Sequence, residues 1–509
     1  MARVSQERAG NGLVGHSLVY SIAPTLRYAL SFAMNRFYTT FLITALYGVR
    51  GMVDLWMILM QQMLGQNLLG GMLRFYYDHK DEEQRKRVVT SVTIVLSAAA
   101  WVVCAAMFLL SDKIAPILIG SPTAEVSATQ IENAFRFLVV LVPFQLSSLS
   151  GFYFLQAQKR SKLYTGVQTA KTALEVLLHV LFMGVLGWGL NGFLLGLLLG
   201  EIVTTCCLTG WMLWTLGPRV DWEVLRPVLR YAAPLIPVGV FQLGLHQLDR
   251  RLIEHVYSGQ QGFSLTGIYD LGYRIGQLIN PILIWPFMQI WQPTIYGVDD
   301  EGERARLVGR VTTWMVTGIG SASLAVIAGG RQAVDLIAGQ VDYLPGYQVV
   351  PWVAAGYVFW SLYSSAQMPL LLAKRTVPLF WINLLALGFC VGTNLWWIPR
   401  LGIVGAALST TASFAFLACL VLIASRGVAH VPFEIRRLAT VFAVVLGSCL
   451  AVRWIDRLEI YTSVARTAAV LGSKTLLFAL GLGILWRGVL YADERASFVS
   501  EVRARLGRK

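Results

Sequence analysis

Runs of about 20 apolar residues, the length that crosses a bilayer as a helix, recur along this chain from His16 to Tyr491. Nothing else in the sequence constrains the fold as tightly. In hydrocarbon every backbone N–H and C=O must be satisfied inside the segment, and a helix does that. Of the 509 residues 56% are hydrophobic and 14% charged, with mean hydropathy +0.60, too apolar for a soluble domain. Fourteen spans are expected, near 16–36, 51–73, 88–110, 132–156, 164–186, 190–215, 231–256, 267–296, 308–330, 346–372, 378–398, 402–425, 438–455 and 466–490. The short loops leave no room for a soluble catalytic domain. The expected class is an all-α polytopic membrane protein.

The net charge of +14 would suggest nucleic acid in a soluble protein, but here its distribution argues for a membrane. With the N-terminus cytoplasmic, the loops on that side and the tail carry 27 of the 42 Lys and Arg residues, and the opposite side carries seven. That is the positive-inside pattern; it puts both termini in the cytoplasm. The first apolar segment is span-length and is expected to stay in the mature protein. The six cysteines fall in apolar spans without metal or redox spacing and read as small core residues. No Gly-rich phosphate loop, His/Cys metal spacing or G-x-S-x-G is present, so no enzyme activity, metal or cofactor is expected.

The sequence repeats itself. Asn35-Arg36 answers to Asp249-Arg250 at an offset of 214, Tyr76 to Tyr296 at 220, and Arg87 to Arg306 at 219. Ala157 answers to Ala373 at 216, Lys159-Arg160 to Lys374-Arg375 at 215, and Gly189 to Gly402 at 213. Spans 1–6 and 7–12 are therefore expected to be two copies of one bundle, inserted the same way up. Such parallel repeats carry a pseudo-two-fold axis along the membrane normal and a substrate cavity between the halves. The expected domains are a cytoplasmic N-terminus 1–16, bundles 17–216 and 231–425 joined by a cytoplasmic linker 217–230, two appended helices within 438–490, and a basic cytoplasmic tail 491–509.

Charged and polar groups inside spans are costly and mark function or internal pairing. The densest set lies between Tyr231 and Gly297: Gln242, His246, Asp249 and Arg250 on one stripe, then Asp270, with Tyr269, Tyr273, Gln277 and Asn280 on one face and Arg274 beside it. Tyrosine rings beside amides suit a carbohydrate, or alternatively interhelical hydrogen bonding. Asp249 beside Arg250 reads equally as a local charge pair. Gln168, Lys171, Glu175 and His179 share a helical face, readable as a cavity wall or as a self-neutralising Lys171–Glu175 pair. Arg27, Arg136 and Lys474 are lone span cations. A cavity ringed by Arg27, Arg136, Lys171, Arg250 and Arg274 would suit a pyrophosphate, which arginine binds in bidentate fashion. Glu175, His179 and Asp249 are the titratable candidates for ion coupling.

The stretch YAAPLIPVG…LDRRLI…GIYDLGYRIGQL…IWQPTIY resembles the central segment of bacterial polysaccharide transporters. These are the O-antigen and exopolysaccharide flippases of the multidrug/oligosaccharidyl-lipid/polysaccharide superfamily. LLGGMLRFYYDHKDEEQRKRVV, FYFLQAQKRSKLYT and LGIVGAALSTTASF extend the resemblance over nearly the whole chain. It implies a protein of the bacterial inner membrane with fourteen spans in two bundles. It also implies flipping of an undecaprenyl-pyrophosphate-linked oligosaccharide by alternating access, with membrane lipids, a polysaccharide polymerase and export machinery as candidate partners and no nucleic acid. Asp249-Arg250 matches that family's Asp-Arg pair and Tyr269 its Gly-Ile-Tyr motif. A multidrug antiporter, a lipid II-type flippase and a membrane glycan polymerase or ligase are the competing readings. The basic excess weighs against the first, and the short outer loops against the last.

Overall fold

The computed structural model describes residues 44–119, 127–257, 259–337, 341–428, 431–458 and 464–489, with Leu30, Met34, Phe37, Tyr38 and Thr40–Leu42. Arg27, segment 1–16, all of the first expected span but Leu30 and Met34, and tail 491–509 lie outside the described residues. Among the described residues there is no strand.

The chain divides into two compact units: residues up to 240 with 286–297 and 374–380, and residues 241–285, 298–373 and 381 onward. In the first unit, α1 (Thr44–Met63) and α2 (Asn67–Asp78) are parted at Gly65, whose φ of +102° suits glycine alone. The polar turn at 79–81 leads to α3 (Glu82–Leu109), N-capped by Asp81, which accepts the Gln84 N–H. A short α4 (Ser111–Leu118) precedes α5 (Ala128–Ala157), which opens with a capping box between Ser127 and Gln130. Then come α6 (Ser161–His179), continued by a π turn over Val180–Val185, and α7 (Gly189–Thr204), continued through a π turn over Thr205–Gly210 to Leu216. The core is knit by Val53, Phe135, Leu138, Val142 and Leu146, all fully buried.

The expected linker 217–230 is mostly helix: α8 (Trp222–Ala232) is capped by Asp221 and buries Leu225 and Val228 against α2 and α3. It leaves Trp222 exposed. One face is apolar and the other charged, with Glu223, Arg226 and Arg230 on the side away from Leu225 and Val228.

Helix α9 (Leu235–Tyr257) begins in the first unit and passes to the second at Phe241. The segment between the seventh and eighth expected spans is not a loop but the first two turns of α10 (Gly259–Gly276). Gly262 permits this, because a Cβ there would lie 3.1 Å from the Glu254 carbonyl oxygen. A π segment, Asn280–Ile284, joins α10 to α11 (Trp285–Tyr296). Next are α12 (Glu301–Ile337), a 3₁₀ stretch Val341–Gln348, α13 (Val350–Ala366), α14 (Met368–Leu372), α15 (Val377–Leu401) and α16 (Ile403–Arg426). Last come α17 (Ile435–Leu458) and α18 (Val464–Gly488). Within the second unit α13 packs along α12 and α16, and α17 and α18 pack on α12 and on each other.

Among the described residues, eight helices are long and apolar enough to cross a membrane. They coincide with expected spans 3, 4, 6, 7, 9, 11, 12 and 13. The second, eighth and tenth expected spans are helices broken at Gly65, by the π segment and at Gln367, and the fifth carries charges in its middle. The repeat is written in the backbone as well. Lys159 and Lys374, 215 residues apart, both have positive φ (56° and 57°), as do Gly189 and Gly402 (51° and 61°).

Candidate functional site

In the first unit, α6 carries Lys171, Glu175 and His179 at four-residue spacing, all buried. Lys171 is hydrogen-bonded to Glu201 of α7 and lies 3.8 Å from Glu175. The Ser148 hydroxyl of α5 donates to Glu201 at 2.7 Å. His179 lies 2.9 Å from the Tyr38 hydroxyl and stacks on Phe193, centroids 4.8 Å apart. The two helices approach through a glycine ridge. A Cβ on Gly196 would sit 2.6 Å from His179 Cδ2, and one on Gly200 2.8 Å from Glu175 Cγ. Lys171, expected as an open cation for substrate, is therefore already committed to carboxylates. The Lys171–Glu175 pair is present, and Glu201 joins it as the closer carboxylate. Glu201 escaped the sequence reading, although it is the lone acid of a long apolar run and the same rule flags it.

Arg136 stands apart. It is exposed near the start of α5, 2.5 Å from Glu132 and hydrogen-bonded to Ser111 at 3.1 Å. Lys474, the lone cation of the last span, pairs with Asp456 at 2.5 Å, and both side chains are buried.

The second unit gathers most of the expected residues on the α9–α10 hairpin. Arg250 does not use its sequence neighbour: it binds Asp270 at 2.8–2.9 Å and the His246 carbonyl at 2.9 Å. Its guanidinium lies 4.5 Å from the Tyr273 ring centroid, a cation–π distance. Arg274 donates through Nε to the other oxygen of Asp270 at 2.5 Å. Two arginines thus share one carboxylate and leave a net positive charge. The Arg274 side chain is 66% exposed, against 15% for Arg250.

Tyr269 and Tyr273 are both fully buried, so open faces for a sugar are not what they present. The Tyr273 hydroxyl lies 3.2 Å from His246 Nδ1 and 3.2 Å from the Tyr357 hydroxyl. The Tyr357 hydroxyl donates to Gln277 at 3.5 Å. His246 is enclosed by Tyr357, Trp360 and Phe414. Gln242 donates to Tyr363 at 2.9 Å. Half-buried Asn280 opens the π segment. These tyrosines hold the hairpin and seat Arg250.

Asp249 turns to partners other than those of Arg250 and is fully buried. Oδ2 accepts from the Tyr269 hydroxyl at 2.6 Å and from Thr410 of α16 at 2.5 Å. Oδ1 accepts from Asn394 of α15 at 2.9 Å. Asn394 and Thr410 were not legible, being ordinary polar residues on distant helices. Among the described residues no group of three or more His, Cys, Asp or Glu could hold a metal ion.

This is the fold of the MOP-superfamily transporters. A mutant of the Vibrio cholerae MATE transporter VcmN superposes with a TM-score of 0.71 at 12% identity, covering 84% of this chain and 98% of that one. A MOP-superfamily transporter from Pyrococcus furiosus, described as having a binding pocket of reverse polarity, superposes at 0.65 and 14% identity, with 84% and 96% covered. A multidrug-resistance MATE transporter in an outward-facing conformation gives 0.66 at 14% identity, again with 84% and 96% covered. No curated protein matches the sequence. The profile of the family described as polysaccharide biosynthesis protein matches residues 39–340, and the chain belongs to that family.

Proposed function

We propose that this protein flips an undecaprenyl-pyrophosphate-linked oligosaccharide repeat unit from the inner to the outer leaflet of the bacterial cytoplasmic membrane, for surface or exopolysaccharide assembly. The observation that carries the reading is a polysaccharide-biosynthesis family match on a chain with a transporter fold. A headgroup of sugars and phosphates cannot cross about 30 Å of hydrocarbon unaided, while its prenyl tail stays in lipid. Alternating access of a membrane-spanning cavity meets that need, with bundles 17–216 and 231–425 as the proposed moving bodies.

The Arg250–Asp270–Arg274 cluster supports an anionic cargo. Asp270 orients both arginines, and the terminal N–H groups of Arg274 have no partner among the described residues. Such a fork fits two oxygens of a phosphate. Tyr269 and Tyr273 act here as positioning residues for Arg250. Cytoplasmic termini, lipid contacts and a neighbouring polymerase and export apparatus complete the proposed setting.

The test is complementation of a deletion strain, scoring surface polysaccharide and intracellular lipid-linked oligosaccharide. The wild-type gene restores export, and Arg274→Ala leaves the lipid-linked unit trapped at normal protein level. A deletion that traps no intermediate but alters drug tolerance overturns the reading in favour of an antiporter. Accumulation of a peptidoglycan precursor overturns it in favour of a lipid II-type flippase.

A further inference from the structure

Helix α8 is held across the first unit rather than along it. At its start the Asp221 N–H donates to Ser91 at 2.8 Å, and Ser91 stands nine residues, about 14 Å of rise, from the Glu82 end of α3. In its last turns Val228 and Tyr231 close on Gly71, where a Cβ would lie 3.1 Å from Val228. Gly71 is seven residues, about 10 Å, from the Asp78 end of α2. The turn 79–81 joins those two helix ends, so they mark one level, and both ends of α8 sit at nearly the same height above it. That height is the membrane boundary: the charged opening of α3, Glu82–Arg87, gives way at Val88 to a run without a charge as far as Leu109. The chain enters α8 from one crossing, α7 and its continuation, and leaves it into another, α9. Near the end of the first, Trp214 is 84% exposed, a residue of the headgroup zone.

With Leu225 and Val228 turned into the unit, α8 offers the headgroups its polar face. Trp222, Arg226 and Arg230 recur there at four-residue spacing, which puts them on one stripe, and all three are exposed. Glu223 is the one acid among the exposed residues of this helix. Arg87 nearby is committed to Asp221 and Glu83, and Arg219, its side chain 74% exposed, lies 3.9 Å from Glu83. Neither Arg226 nor Arg230 has an ion pair or a side-chain hydrogen bond among the described residues. Two guanidinium forks one turn apart, at headgroup height and facing away from the protein, match phosphate oxygens in both geometry and charge.

We infer that the outer face of α8 is a docking site for an anionic phospholipid, whose phosphate takes Arg226 and Arg230 while Trp222 seats its ring at the headgroup boundary. A zwitterionic lipid carries the same phosphate, but its own cation cancels the attraction; an anionic one keeps it. Because α8 leads directly into α9, the bound lipid fixes the point where the helix of Arg250 enters the membrane. The lipid contact stands on α8 alone; that its leaflet is the cytoplasmic one rests on the setting proposed above.

The test uses the full-length protein, delipidated in a neutral detergent, with Tm followed as phosphatidylglycerol or phosphatidylcholine of the same acyl chains is added. Wild-type Tm is expected to rise and saturate with phosphatidylglycerol, because a lipid that binds only the folded state stabilises it by mass action, and to rise less with phosphatidylcholine. Arg226→Gln is expected to raise the phosphatidylglycerol midpoint about fivefold, the equivalent of one charge at the membrane surface. Arg219→Gln, Arg226→Gln and Arg230→Gln together remove the preference for phosphatidylglycerol. Arg306→Gln, Arg375→Gln and Arg426→Gln together remove the same charge elsewhere and keep it. Should the α8 triple variant not fold, Arg226→Gln and the charge-keeping Arg226→Lys, expected to hold the preference, decide the matter. Equal response of the wild type to both lipids overturns the site, as does an unshifted midpoint in Arg226→Gln or a triple variant that keeps the preference. A control that loses the preference as fully overturns it in favour of diffuse charge. A Tm raised as far by inorganic pyrophosphate at constant ionic strength overturns it in favour of a site for soluble anions.

Discussion

Lys171 and Glu201 form a buried ion pair between two neighbouring helices of the first unit, and Glu175 closes on it from one turn along. Two carboxylates and one ammonium share this site, and its mutational behaviour follows from that count. Lys171→Met strands both acids in the bundle. Breaking one side of a buried pair costs about 3–5 kcal/mol, seen as a large drop in Tm of the detergent-purified protein. Removing the pair together, as Lys171→Met with Glu201→Leu, is expected to recover most of that loss.

The glycine ridge of α7 gives a second prediction. Gly196→Ala places a methyl 2.6 Å from the His179 ring, and overpacking of this kind costs about 1–3 kcal/mol. Gly166→Ala, on the neighbouring helix with nothing within 4 Å of the new Cβ, is the matched control. It is expected to gain about 0.5–1 kcal/mol from helix propensity. Thermal unfolding of the two variants side by side checks both signs.

Asp270 is predicted to matter more than either arginine it holds. Asp270→Asn releases Arg250 and Arg274 at once, whereas Arg274→Ala removes one exposed fork. Export assayed by complementation, at matched protein level, is expected to fall further in Asp270→Asn than in Arg274→Ala.

Lys159 and Lys374 occupy the same left-handed backbone position in the two copies, and they should respond oppositely to glycine. Lys159→Gly relieves a conformation that costs an L-residue about 1–2 kcal/mol and gives up only a long contact, 5.8 Å to the Tyr77 ring centroid, so its Tm rises. Lys374 is paired with Asp78 and lies 4.4 Å from the Phe75 ring centroid. Lys374→Gly forfeits those contacts, so a gain as large as that of Lys159→Gly would contradict this account.

Much of this was legible in the sequence. Hydropathy marks a straight span because the bilayer demands a continuous apolar helix, and α3, α5, α12 and α16 fall where they were expected. The face shared by Lys171, Glu175 and His179 follows from helical spacing alone. What periodicity does not reveal is which helix stands opposite. Arg250 reads naturally with Asp249, its covalent neighbour, yet adjacent residues on a helix point about 100° apart. Each accordingly found partners on other turns and other helices, Arg250 at 20 residues and Asp249 at 145 and 161 residues. Breaks inside spans were equally opaque, because a π turn needs no special residue to form.

Those π turns bear on the history of the chain. The offset between the two copies falls from 215 at Lys159 and Lys374 to 213 at Gly189 and Gly402. The first copy has thus gained two residues on the second between these landmarks. The turn at Val180–Val185 lies inside that interval, while α15 of the second copy runs through the corresponding stretch as uninterrupted α-helix. An i→i+5 turn accommodates one extra residue without ending the helix, so one of the two gained residues is still visible as this swelling. The two copies thus differ in length at that point, directly after buried His179.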